Sequence, residues 1–266
     1  MTVRFFHSLK PLGGVILVSA LAACSSDTTG ANLHPVKLSV TSSVLSAPTP
    51  TSAMSAGLAV GTASTLIITK VQLVMDKIEL NDGETTNCVE EIEASGDDHA
   101  QVGAECEDVS RDPVLVNIPV DGTLMAALNV PLAAGTYSKL EAKLEPASDN
   151  ATAFNAANTN LVGKSVRVEG TYGDAATPFV FTSSVRAGLE MSFNPPLVID
   201  ATTTNATLSI DVAKWFLDSS NNVIDPNSAT AGTAALQQVE DNIRRSFHAF
   251  EDDGESGIDD QSGHHG

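Results

Sequence analysis

Leu66-Ile67-Ile68-Thr69-Lys70-Val71-Gln72-Leu73-Val74-Met75-Asp76-Lys77-Ile78-Glu79-Leu80 is the richest apolar run in the body of this 266-residue chain. Ile68, Val71, Leu73, Met75, Ile78 and Leu80 alternate with their neighbours, but the phase slips twice, near Thr69–Val71 and Asp76–Ile78. Period-two alternation is the mark of a strand with one face on a core. A β-bulge adds one residue and resets the phase at little cost, so the run reads as one long bulged strand. Asn81-Asp82-Gly83 ends it as a turn.

Outward from that strand, the same period recurs. Val36, Leu38 and Val40 alternate upstream, and Val114, Val116, Ile118 and Val120 downstream. Gly135-Thr136-Tyr137 opens a strand whose inward face is Leu140, Ala142 and Leu144. Ser165–Gly170, Pro178–Val185, Gly188–Phe193 and Ala206–Phe216 complete the strand candidates. Ser42–Ala56 reads as loop, and Leu124–Val130 fits neither period well and is compatible with one helical turn. Short strands punctuated by turn residues predict an all-β fold, an antiparallel β-sandwich of the Ig-like or transthyretin-like kind. Leu236, Val239, Ile243, Phe247 and Phe250 recur at helical spacing, so a C-terminal amphipathic helix is expected over 233–250, capping the sandwich or docking to a partner protein.

The N-terminus carries Arg4 and Lys10, then an apolar stretch from Leu12 to Ala23, then Cys24. That order is a secretory signal peptide over 1–23, too short for a membrane span. Leu21-Ala22-Ala23-Cys24 resembles the lipobox of bacterial lipoproteins, in which the cysteine is lipidated and becomes residue one. Ser25 in place of Asp implies, by the same resemblance, the outer membrane. The expected plan is a tether over 24–35, a sandwich over 36–227 with an acidic insertion at 81–112, the helix, and a disordered acidic tail over 251–266.

Charge follows that plan. The chain has a formal net charge of −19, and about −21 from Cys24 onward. Residues 81–112 and 251–266 carry −16 of it, which leaves the rest of the domain close to neutral. Such runs read as solvated, mobile segments. An acidic surface excludes nucleic acid as a partner, because phosphates demand clustered Lys and Arg. Beyond Cys24 the two remaining cysteines, Cys88 and Cys106, form an even pair outside the cytoplasm and are expected to be bonded. Closing that 19-residue loop would contribute about 3 kcal/mol in the chain-entropy account.

Ile68-Thr69-Lys70-Val71-Gln72-Leu73, Pro113-Val114-Leu115-Val116-Asn117-Ile118 and Val130-Pro131-Leu132-Ala133-Ala134-Gly135-Thr136-Tyr137 resemble a domain-of-unknown-function family of bacterial lipoproteins over residues 36–216. The resemblance implies an antiparallel β-sandwich and an envelope address, and brings no activity with it.

Catalytic templates are missing from the sequence: no Gly-x-Ser-x-Gly, no His-Glu-x-x-His and no Gly-rich phosphate loop. His34, His99, His248, His264 and His265 read as solvated surface residues. A carboxylate pair for hydrolysis is a matter of spatial separation, which spacing in sequence does not report. Glycan binding needs several exposed rings. Trp215 reads as core and Tyr137 as a corner residue with its hydroxyl on backbone, so Tyr172 alone remains for that role. The cation reading has more material. Glu90, Glu91, Glu93, Asp97, Asp98 and Glu105 lie between the two cysteines, and calcium is the cofactor such oxygen ligands would take. The tail's Glu251–Asp260 run superficially resembles a calcium loop, but with Gly254 at the sixth position of that template Ala249 falls at the first, which breaks it. The expected role is therefore that of a lipid-anchored envelope sandwich with a structural or binding task and no catalytic motif. Weak calcium or glycan binding is the alternative, and a hydrolase the more distant one. The expected partners are the membrane, through its lipid anchor, and an envelope protein or glycan.

Overall fold

Both phase slips in residues 66–81 are β-bulges. The computed structural model describes residues 33–42, 57–61, 66–81, 106–110, 112–200 and 205–251, with the backbone alone at 106–110, 130 and 251. The central strand β3 (Leu66–Asn81) shifts register against its partners at Ile68/Lys70 and again at Asp76/Glu79. Leu66 and Ile68 point to the core, then Val71, Leu73 and Met75, then Ile78 and Leu80, so each bulge restores the apolar face to the core.

Nearly every other strand of the larger sheet is organised on β3. Along one edge it pairs with β2 (Leu58–Val60), β5 (Val114–Ile118) and β4 (Cys106–Ser110). Along the other it pairs first with β8 (Val166–Tyr172) and then with β7 (Gly135–Leu144). The outer strands are β9 (Thr177–Ser183), beside β8, and β10 (Ala187–Ile199), beside β7. All of these pairings are antiparallel.

A second sheet of four strands has the order β12-β11-β1-β6, from β1 (Leu33–Ser42), β6 (Met125–Ala133), β11 (Asn205–Ile210) and β12 (Phe247–Glu251). Its β1–β11 pair is parallel. The sheets share one apolar core that takes Val36, Leu38 and Val40 from the small sheet. Trp215 and Phe216, just past β11, are fully buried, and Phe216 meets Phe181 edge-on at 5.2 Å between ring centres. A minor cluster of Val74, Ala147 and Leu161 lies on the opposite face of β3, under the segment that carries α1 (Thr152–Ala157). The all-β sandwich read from the sequence is the architecture observed.

Several elements differ from expectation. The helix expected over 233–250 is helical only over Ala234–Arg244 (α2). Thr233 caps it by accepting from Leu236 N–H at 3.2 Å, and Val239 and Ile243 are its buried face. Phe247 and Phe250 belong instead to β12, where pairing with β11 satisfies a backbone that a longer helix would leave beside an open strand edge. Ser246 makes the turn: its hydroxyl donates to Ile243 O and accepts from Trp215 Nε1 at 2.9 Å. Leu124–Val130 is not a helical turn but most of β6. Residues 106–110 are not part of a loop insertion but a strand paired to β3. Beyond Ile210 the chain leaves the strand expected to reach Phe216 and makes a short 3-10 turn, Val212–Lys214.

Candidate functional site

Polar side chains concentrate on the outer face of β3, β7 and β10. There Glu79 is the register partner of Glu141, and Glu141 that of Glu190. On β4, Asp108 stands opposite Glu79, so four acidic positions form one row across four strands. The next row is Cys106, Asn81, Lys139 and Ser192, and the row on the other side brings Asp76 opposite Lys143.

Glu79 is fully buried and Glu141 is only 4% exposed. Directly opposed side chains have Cβ atoms roughly 4.5–5.5 Å apart, and like charges there are destabilising. The neighbouring rows offset this. Asn81 Nδ2 donates to Glu141 Oε1 at 2.7 Å. Lys139, two residues from Glu141 on the same face of β7, meets Glu190 Oε1 at 2.5 Å, and that hydrogen bond holds its ammonium above the usual lysine range. Asp76 has its pKa raised, first by burial and then by the nearby charges of Glu145 and Asp112, against the opposing hydrogen bond from Lys77 N–H.

Asn81 and Lys139 thus supply polar partners to Glu141 and Glu190, the members of the row on β7 and β10. Among the described residues, no group of three or more His, Cys, Asp or Glu side chains converges as a metal site would. A shallow cleft of about 270 Å³ lies at the other end of β7, lined by Lys143, Leu144, Glu145, Arg186, Ala187 and Gly188. Its carboxylate, Glu145, is ion-paired with Arg186, and neither Glu79 nor Glu141 lines it.

Of the site residues expected from the sequence, Cys24, Cys88, Glu90, Glu91, Glu93, Asp97, Asp98 and Glu105 lie outside the described residues, as do His99 and the tail beyond Glu251. Cys106 begins β4 with its backbone opposite Asn81. Trp215 is buried, and Tyr137 donates from its hydroxyl to Ala133 O at 3.1 Å, as a corner residue should. Tyr172 is partly buried against the main core rather than a free ring. Sequence reasoning passed over Glu79 and Glu141 and put Asn81 in a turn, where the structure makes it the buried last residue of β3. Their polar positions were visible in the alternation, but their burial was not.

No protein-family model matches the chain, and no curated protein matches it. Among solved structures, MbnP from Methylosinus trichosporium is similar at 11% identity, with 78% of this chain and 87% of that chain covered and a TM-score of 0.34. A likeness of that size assigns neither a family nor an activity.

Proposed function

We propose that this chain is a lipid-anchored β-sandwich of the bacterial outer membrane, of Ig-like or transthyretin-like type, with a structural or binding role rather than a catalytic one. The observation that supports it most is the position of β1, which begins nine residues beyond the lipobox-like Cys24. A folded domain set so close behind an acylation site is suited to work at a membrane surface. Each buried methylene of an acyl chain contributes about 0.8 kcal/mol, so several chains on one residue anchor it durably. In cell fractionation, Cys24→Ser should move the protein from the detergent-extracted membrane fraction to the aqueous one. A wild-type protein that is already aqueous overturns the reading.

Weak calcium binding by residues 82–105 is the second reading. It is favoured by the register of Asn81 opposite Cys106, which brings the two ends of a segment holding eight carboxylates together. A Cys88–Cys106 bridge would gather Glu90, Glu91, Glu93, Asp97, Asp98 and Glu105 further. Affinity would fall in the ~10⁻⁴–10⁻³ M range of extracellular calcium modules. Calorimetry should show heat at millimolar calcium that weakens on reduction and on Asp97→Asn with Asp98→Asn. No heat removes the idea.

A further inference from the structure

We infer that Pro178 and Pro131 keep the open edges of the two sheets from accepting a strand of a second copy of this chain. β9 and β6 end the strand orders of their sheets, and among the described residues each pairs along one edge only, with β8 and β1. An open edge is a row of N–H and C=O groups that can template another strand. Charge is one common protection, and both strands lack it: none of the chain's 33 acids or 14 bases lies in Thr177–Ser183 or Met125–Ala133. Thr177-Pro178-Phe179-Val180-Phe181-Thr182-Ser183 is rich in the aromatic and β-branched residues that self-pairing strands use. Val180, on the outer face of β9, is 55% exposed. The remaining outer strands, β10 and β12, pack against each other.

Register shows where the prolines stand. Along an antiparallel pair, residues that exchange hydrogen bonds alternate with residues whose N–H and C=O turn to the other edge. Pro178 is opposite Thr171, and Pro131 is opposite Pro35. A residue without an N–H cannot exchange both bonds, so each of these pairs is of the second kind. Pro178, with Val180 and Thr182 in the same phase, therefore turns its backbone to the open edge of β9. Pro131 and Asn129 do the same on β6, and both are exposed. Phe179 and Phe181, in the other phase, keep their N–H groups for β8. Each proline thus interrupts the open edge and costs its own sheet no hydrogen bond.

A second copy would meet β9 most fully in an antiparallel register centred on Val180, which opposes Val180 to itself and Pro178 to Thr182. Each copy then lacks the donor that would reach the carbonyl of Thr182 in the other. The proline ring also fills the space into which that N–H would point. Pro131 interrupts β6 in the same way, between Asn129 and Ala133.

The test is sedimentation velocity on the full chain over a concentration series, with Cys24→Ser in every sample so that no acyl chain contributes. Wild type should remain a single species. Pro178→Thr should associate at a concentration about tenfold or more below any at which wild type does, since two inter-strand hydrogen bonds are regained per pair. Pro131→Thr should shift in the same direction. Val180→Pro, added to Pro178→Thr, removes another edge-facing donor while leaving the pairing with β8 intact, and should return the chain to a single species. Wild type that associates as readily as either variant, or both variants remaining single species throughout, overturns the inference. Association of Pro178→Thr that survives Val180→Pro overturns it too, because it marks misfolding rather than edge pairing.

Discussion

The two bulges of β3 use one geometric device and are held by different forces. At the first, near Thr69, the restraint is steric. Gly170 on β8 lies against the strand so closely that a Cβ there would collide with the carbonyl oxygen of Ile67 and come within 2.8 Å of Phe179 Cε1. At the second, Lys77 adopts φ 48°, its N–H donates to Asp76 Oδ1 at 2.9 Å, and half-buried charges crowd around. The first bulge turns Thr69 and Lys70 outward, where Thr69 Oγ1 donates to Glu169 O at 3.2 Å and Lys70 pairs with Glu169 at 3.4 Å, so the close packing against Gly170 is what sets it apart. The second is locked by a local hydrogen bond, at the cost of strain and desolvation.

The largest effect should come from breaking the steric bulge. Gly170→Ala leaves the neighbouring backbone nowhere to move, because β3 is paired on both edges there. Overpacking of this kind costs about 1–3 kcal/mol and occasionally more. Denaturant unfolding should place this variant at or above the upper end, with the same loss at every pH tested. A loss below ~0.5 kcal/mol, within the range of ordinary surface substitutions, would show that the bulge is not sterically held.

Lys77→Gly tests the other bulge. A left-handed conformation costs a non-glycine residue roughly 1–2 kcal/mol, whereas glycine adopts it freely but loses ~0.5–1 kcal/mol more backbone entropy than alanine in a regular strand. A small net stabilisation, up to about 1 kcal/mol, is the expected result of thermal unfolding. A clear destabilisation would mean that the lysine side chain matters more than the strain.

Asp76→Asn should give the smallest change, visible mainly as a pH dependence. The raised pKa of Asp76 means that the folded state binds its proton more readily than the unfolded chain does. The penalty is therefore complete above the folded pKa and disappears as pH falls toward the ordinary aspartate value near ~3.9. Wild type should gain stability relative to Asp76→Asn on acidification through that window. Asn keeps an oxygen to accept the Lys77 N–H, so the variant should be at least as stable as wild type at neutral pH. A difference that does not change with pH would place the raised pKa of Asp76 in doubt.

Much of this contrast could be read in advance. Slips in the alternation at Thr69–Val71 and Asp76–Ile78 coincide with the register shifts, because a period of two makes a single inserted residue reverse every later side chain. Which force holds each bulge was not readable, since Gly170 and Phe179 lie about a hundred residues away in sequence. The C-terminal stripe shows the limit from another direction. Phe247 and Phe250 fit a helical period, but pairing with the available edge of β11 made the segment a strand, in which the two rings take opposite faces and Ala249 joins Phe247 in the core. Residues 106–110 hid for a compositional reason: Glu107 and Asp108 are poor strand formers, and pairing with β3 overrides the preference.

Local chemistry and periodicity determined what the sequence alone could specify: the signal-like N-terminus, the alternating faces, the core positions of Trp215 and Leu140, and the confinement of acidity to two segments. Tertiary structure decided that Glu79 and Glu141 are opposed and buried, and that Phe247 lies on a strand beside β11 rather than on the helix. A strand's own pattern specifies which side chains share a face. Only the register with distant strands specifies what stands opposite them, because that pairing is set by the whole sheet's hydrogen bonds and packing rather than by any residue's neighbours in the chain.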